Sequence, residues 1–276
     1  MNYAIKQAGK NACTATALAI ALKELKVEAF DLPYGDYTNN YKVPFNSKEL
    51  FQNLDNPYFE QEKHLIKKHI KRSGIPEYEL SDYTDIFILQ SICGGKALGS
   101  GGHDPSNTKS DYEYGDNPPM SYPSGIAEAL RHSQIGLDVY SYGCIMPNII
   151  EKLYPNERKT LQSEYKINVK QSRPPVLKSN QRMICCVLAI NKGNTFQTLQ
   201  NTISHLWNCN WRNGGKTLAT LLPELHSVLY RHDRTYMDPG IGKNYPNWKS
   251  MTGCCGMGYL DLGIYIVITK PHLKLK

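Results

Sequence analysis

A thiol, an imidazole and a carboxylate occurring in that order along a chain can carry nucleophilic acyl transfer, and this sequence offers Cys13, His226 and Asp238. A cysteine becomes a strong nucleophile when its pKa is lowered, which a helix N-terminus and a neighbouring imidazolium both do. Cys13 opens the run Cys-Thr-Ala-Thr-Ala-Leu-Ala-Ile-Ala-Leu, whose composition and apolar spacing predict a buried helix from Asn11 to Lys26. Asn11 is the expected N-cap, leaving first-turn amides and the positive end of the helix dipole beside the sulfur. Gln7, a short way upstream, has a side-chain amide that can join the Cys13 N–H in donating to a developing oxyanion.

His226 opens the strand-like segment His-Ser-Val-Leu-Tyr-Arg. After a turn at His232-Asp233-Arg234 the chain returns as Thr-Tyr-Met-Asp-Pro-Gly, which predicts a hairpin. Folding it brings Asp238 near the level of His226, where a carboxylate can hold the imidazole tautomer and stabilise its charged form. His205 and His232 are rival bases. His205, in Ser-His-Leu-Trp, has no acid following at hairpin distance, and His232 lies in the turn itself. Taken singly, Cys13 also reads as a small buried hydrophobe, His226 as a core histidine, and Asp238-Pro239-Gly240 as an ordinary turn.

The elements that must position these residues fall into two halves. Short helices are expected over Ser47–Leu54, Phe59–Arg72 and Tyr83–Cys93, with connecting chain at 27–46 and a long Gly/Ser/Asn/Asp/Pro loop at 94–119. Ser124–His132 reads as a helix, Gly136–Tyr142 as a strand and Asn148–Tyr154 as a helix. Strands are expected at Met183–Ile190, His226–Arg231, Thr235–Met237 and Tyr259–Thr269, with a short helix at Leu218–Leu225. A helical first half and a sheet-forming second half point to an α+β fold. A single domain spanning 1–276, with a helical and loop insertion around 30–120, fits the length.

Composition narrows the function classes. The chain is 41% hydrophobic and 21% charged, in the ordinary globular range. Its apolar stretches, Thr14–Leu22 and Leu262–Ile268, are shorter than the roughly 20 residues that span a bilayer, and no Sec-type signal is visible. The expected location is a cytosol, the chain's own or, after export by a dedicated system, a host's. Eight cysteines, including the adjacent pairs Cys185-Cys186 and Cys254-Cys255, are too dilute for a disulfide scaffold and lack zinc-ligand spacing, so reduced thiols and no metal or cofactor are expected. The net charge of +7 is spread out, densest over Lys63–Arg72, which reads as a solvated helix face rather than a nucleic-acid site. The glycines at 94–102 lack the Gly-Lys-Ser/Thr of a phosphate loop.

Gln7, Cys13 on a helix, and the late hairpin bearing His226 and Asp238 resemble the papain-like cysteine peptidase superfamily. The order Gln, Cys, His, Asp is similar to its bacteriocin-leader peptidase-like branch and its bacterial effector proteases and deamidases. The resemblance implies a nucleophile helix packed on a C-terminal antiparallel sheet. It also implies that Gln7 lines the oxyanion hole, Cys13 attacks, His226 transfers protons and Asp238 orients His226. The implied substrate is a protein or peptide, with host proteins and ubiquitin among the candidates, cleaved at a peptide, isopeptide or glutamine amide bond. Two other readings stand beside it. Ser141-Tyr142-Gly143-Cys144, preceded by His132, faintly resembles the L,D-transpeptidase motif around its nucleophilic cysteine. A non-catalytic protein of the same fold, binding an acidic partner through Lys63–Arg72 and the 94–119 loop, is the alternative from another class.

Overall fold

Alanine and leucine lose little on entering a helix, and a run that is apolar all round can be stable only if it is enclosed. In the computed structural model that run is α1 (Cys13–Glu24), and every residue from Cys13 to Leu22 is buried. The residues described are 2–7, 12–27, 29–31, 42–44, 86, 89, 123–131, 133–142, 150, 156–190, 225–251 and 258–271. The cap position falls on Ala12, with no side-chain capping bond, one residue after the Asn11 expected there; Asn11 lies outside the described residues. The helix ends where Lys26 turns to a positive φ of 54° and Val27 N–H donates back to Leu22 O at 3.0 Å.

Enclosure comes from a six-stranded, wholly antiparallel sheet: β3 (Gly136–Ser141), β4 (Gln181–Ile190), β5 (Leu225–Arg231), β6 (Tyr236–Asp238), β7 (Lys243–Tyr245) and β8 (Gly258–Thr269). Their spatial order is β3-β8-β4-β5-β6-β7. The two faces follow from the period-2 alternation of strands. Ile184, Leu229, Met237, Ile266 and Ile268 join Leu18, Ile20, Leu22 and the helical Ile86 and Leu89 in one core. Met183, Cys185, Val187, Val228 and Val267 form a second core on the opposite alternation, flanked by Tyr230, Tyr236, Trp248, Tyr259 and Tyr265. A separate pair, β1 (Ala29–Asp31) and β2 (Lys42–Pro44), is antiparallel too.

A buried ionic hub fixes α1 on the sheet. Glu24, at the end of α1 with its side chain fully buried, accepts from Arg182 Nε of β4 at 2.7 Å and from Arg231 Nε of β5 at 2.8 and 3.0 Å. Arg231 Nη2 also donates to Tyr3 O at 2.7 Å, while Tyr3 N–H donates to Glu24 Oε1 at 3.1 Å. The hub therefore joins the helix, two strands and the N-terminal segment. On the other flank, α2 (Pro123–Ala129) meets α3 (Glu157–Tyr165): the Glu157 carboxylate accepts from the Ser124 N–H and hydroxyl, and Tyr165 donates to Glu128 at 2.6 Å.

The α+β class is as read from the sequence, and β3, β4, β5, β6 and β8 lie within a residue or two of their expected bounds. The helix expected over Leu218–Leu225 does not reach its end: Leu225 is already strand, paired with Leu188. The 27–46 region, read as connecting chain, contributes β1 and β2. The helix α3 and the strand β7 were not anticipated. Ile86, Leu89 and Ile150 are helical, within Tyr83–Cys93 and Asn148–Tyr154, whereas Ser47–Leu54, Phe59–Arg72 and the 94–119 loop lie outside the described residues.

Candidate active site

The first turn of α1 and the first rungs of β5 meet at one end of the sheet. On β5, Arg231, Leu229 and Ser227 alternate onto the helix side: Arg231 reaches Glu24, Leu229 enters the helix core, and Ser227 Oγ lies 2.7 Å from Thr14 Oγ1. That hydroxyl pair ties the residue after Cys13 to the residue after His226. Cys13, only 8% exposed, is thereby held where His226, the Ser227 main chain and the Thr14 hydroxyl all act on its sulfur.

The hairpin sets the other half. Its turn is at His232–Arg234, with Arg234 at φ 66° and the Asp233 carboxylate accepting from Thr235 N–H and Oγ1. The pairs Leu229↔Met237 and Tyr230↔Tyr236 fix a register in which Asp238 is diagonal to His226 on the same alternation. His226 Nε2 donates to Asp238 Oδ1 at 2.7 Å. Asp238, fully buried, also accepts from Gly240 N–H at 2.7 Å on Oδ1 and from the Tyr259 hydroxyl at 2.6 Å on Oδ2. The same register puts Gly240 opposite His226, and a Cβ on Gly240 would stand 3.1 Å from Asp238 Oδ1 and 3.3 Å from His226 Cε1. Glycine leaves the space in which the two side chains meet.

These contacts decide protonation. Burial pushes the Cys13 thiol up, but the hydrogen bond and charge of His226, the Ser227 main chain and the Thr14 hydroxyl outweigh it and bring the thiol below its ordinary value. Burial disfavours the His226 imidazolium, yet the bonds and negative charges of Asp238 and Cys13 raise it to about 10. Burial likewise raises Asp238, and His226, Tyr259 and Gly240 more than reverse that. With Nε2 engaged by Asp238, Nδ1 is the ring nitrogen left for the sulfur. A thiol shifted down beside an imidazole shifted up and a carboxyl shifted down is an arrangement from which a nucleophile and a proton donor can both be drawn.

Gln7 lies in the extended N-terminal segment, and its N–H donates to Pro239 O at 2.7 Å, directly beside Asp238. Gly242, at φ +67°, makes room for that segment, since a Cβ there would come within 2.6 Å of Lys6 N. Of the rival bases, His232 sits exposed at the far turn of the hairpin, 3.5 Å from Arg182 Nη1, and His205 lies outside the described residues, as do His132 and Cys144. Among the described residues Cys13, Cys185 and Cys186 are free thiols, no group of three or more metal-ligating side chains converges, and no helix is long and apolar enough to cross a membrane. Sequence reasoning missed the Thr14–Ser227 pair, Gly240 and Tyr259. Only Gly240 had a local signal, the Asp-Pro-Gly turn.

No curated protein and no solved structure matches the chain. The family model described as Invasion plasmid antigen J, cysteine protease, matches residues 5–271, a span that takes in Gln7, Cys13, His226 and Asp238 together. The match covers nearly the whole sequence and agrees with the bacterial effector branch of the resemblance, and the chain is therefore a member of the Invasion plasmid antigen J cysteine protease family of bacterial effectors.

Proposed function

We propose that the chain hydrolyses an amide bond of a protein substrate by acyl transfer to Cys13, on a papain-like arrangement of α1 against the sheet. The observation that carries this reading is the His226 Nε2–Asp238 Oδ1 bond of 2.7 Å, which leaves Nδ1 for a thiol whose pKa is lowered chiefly by that same imidazole. The Cys13 thiolate attacks the carbonyl carbon, and the oxyanion is held by the Cys13 N–H and the Gln7 amide. The His226 imidazolium protonates the departing nitrogen, the C–N bond breaks, and a thioester remains. Neutral His226 then takes a proton from water, which attacks the thioester and releases the carboxylic acid and the thiol. Asp238 keeps the imidazole in the tautomer that points a lone pair at the reacting groups.

Peptide, isopeptide and glutamine side-chain amides share this chemistry, so the choice among them rests with substrate contacts outside the triad. As an effector, the protein acts on a host protein after delivery by a dedicated secretion system, and residues 1–276 form one catalytic domain with an insertion around 30–120. Brief, limiting iodoacetamide treatment followed by peptide mass spectrometry tests the site. Cys13 is expected to label far faster than Cys185 and Cys186, and the rate to fall in His226→Ala. Uniform labelling, or hydrolysis that survives Cys13→Ala, sinks the reading.

A further inference from the structure

Three donors hold Asp238, and only one of them belongs to the base. Gly240 N–H and His226 Nε2 both go to Oδ1; Oδ2 is engaged by the Tyr259 hydroxyl at 2.6 Å. Tyr259 comes from β8, which is not a neighbour of β6 in the sheet, since β4 and β5 lie between them. Its ring also stacks on His226, with centroids 5.5 Å apart and planes 21° from parallel. One side chain thus touches both members of the dyad at once.

We infer that Tyr259 is a positioning residue of the catalytic site: its hydroxyl fixes the rotation of the Asp238 carboxylate, and its ring shields the His226–Asp238 bond from water. A carboxylate on a single-bonded Cβ–Cγ axis can swing either oxygen toward His226, and a donor on Oδ2 removes that freedom. The bond it protects is charge-assisted, and such bonds gain strength where water is kept out. The inference rests on the assignment of Cys13, His226 and Asp238 as the catalytic groups.

The sign of the effect follows from which form of Asp238 the hydroxyl favours. A donor to the carboxylate stabilises the charged form, so its loss lets Asp238 take up a proton at higher pH. His226 and Tyr259 are the titratable groups acting on Asp238. Once the carboxylate is neutral, the imidazolium loses its counter-charge and the Cys13 thiolate loses its partner. The acid limb of Cys13 reactivity therefore moves up.

Tyr259→Phe keeps the ring and removes only the hydroxyl. In the full chain, the pH profile of Cys13 alkylation by iodoacetamide, read by peptide mass spectrometry, is expected to show its acid limb about one pH unit higher, the size of one charge-assisted hydrogen bond. The melting temperature near neutral pH should fall by a few degrees at most, because a carboxylate that protonates more readily in the folded state stabilises the fold less above that pH. Tyr259→Leu, which also removes the stacked ring, should slow alkylation above the limb as well. In an Asp238→Asn background Tyr259→Phe should leave the limb where it is, because the group through which it acts no longer titrates. A Tyr259→Phe profile superimposed on the parent's, or an equal shift in both backgrounds, overturns the positioning role while leaving the Cys13 assignment intact. A parent protein whose Cys13 labels no faster than Cys185 and Cys186 overturns that assignment and the role of Tyr259 with it.

Discussion

His226 Nε2 and Asp238 Oδ1 are 2.7 Å apart across a diagonal of the β5–β6 hairpin, with only 12% of the His226 side chain and none of the Asp238 side chain exposed. A carboxylate so placed has two separable effects on the imidazole, orientation and charge. The rest of its surroundings lets a substitution pull them apart.

Asparagine at 238 preserves the first effect. Its oxygen still accepts from His226 and Gly240, and its amide can face the Tyr259 oxygen. The negative charge is what goes. Asp238→Ala, which loses orientation too, should lower kcat/KM about a thousandfold, and Asp238→Asn by less than that. The pH profile gives the cause. His226 is raised to about 10 in part by the charge of Asp238, so the basic limb of hydrolysis, where the imidazolium proton is lost, should move down in Asp238→Asn. An unmoved basic limb would mean that the charge plays no part.

Glu24 is the only carboxylate on the guanidinium groups of Arg182 and Arg231 among the described ion pairs, and the side chains of both Glu24 and Arg231 are fully buried. Removing it strands a buried cation. Glu24→Ala should destabilise the fold by about 3–5 kcal/mol in chemical denaturation, the range for breaking one side of a buried pair. Replacing an exposed pair such as Lys170–Asp138 should cost no more than about 1 kcal/mol. A Glu24→Ala protein as stable as its parent would show that water reaches the hub.

How much of this could be read beforehand depends on the kind of signal each part leaves. The helix α1 and the strands β4, β5 and β8 announce themselves because long apolar runs have few places to go. The strand β7, Lys-Asn-Tyr, has no apolar alternation, and in α3 only Glu157 and Leu161 are buried, so no stripe marks it. Cys13, His226 and Asp238 are picked out by type and order, and the Asp238–His226 proximity follows from a turn placed at 232–234. Tyr259 leaves no such trace. It meets Asp238 from a strand three positions away in the sheet, a relation set by strand order rather than by spacing along the chain.

Glu157 makes an opposite kind of prediction, one about pH and stability. Burial is the chief cause that raises its carboxyl to about 7, although the Ser124 N–H and hydroxyl favour the charged form. A native pKa above the unfolded value means the folded state binds more protons between about pH 4.5 and 7. Its contribution to stability is present at low pH and is lost as pH rises through that window. Glu157→Gln should flatten this decline, gaining up to about 3 kcal/mol on the parent by pH 7.5 and nothing at pH 4. Urea midpoints at the two pH values measure it, and an equal difference at both would show that Glu157 does not titrate in that range.

Gly242 offers a test of the oxyanion role proposed for Gln7 that is separate from the thiol chemistry proposed for Cys13. At φ +67° an alanine is strained by about 1–2 kcal/mol, and its methyl would come within 2.6 Å of Lys6 N, a main-chain atom that cannot swing aside. The N-terminal segment must move, and Gln7, whose N–H bonds Pro239 O, moves with it. The contacts that lower the Cys13 pKa come from His226, Ser227 and Thr14, none of which lies in that segment. Gly242→Ala should therefore leave the rate of Cys13 alkylation within about twofold of the parent while lowering kcat/KM about a hundredfold, the cost of one oxyanion donor. If both rates fall together, the segment supports the whole site rather than the oxyanion alone. If neither falls, Gln7 is no part of the machinery.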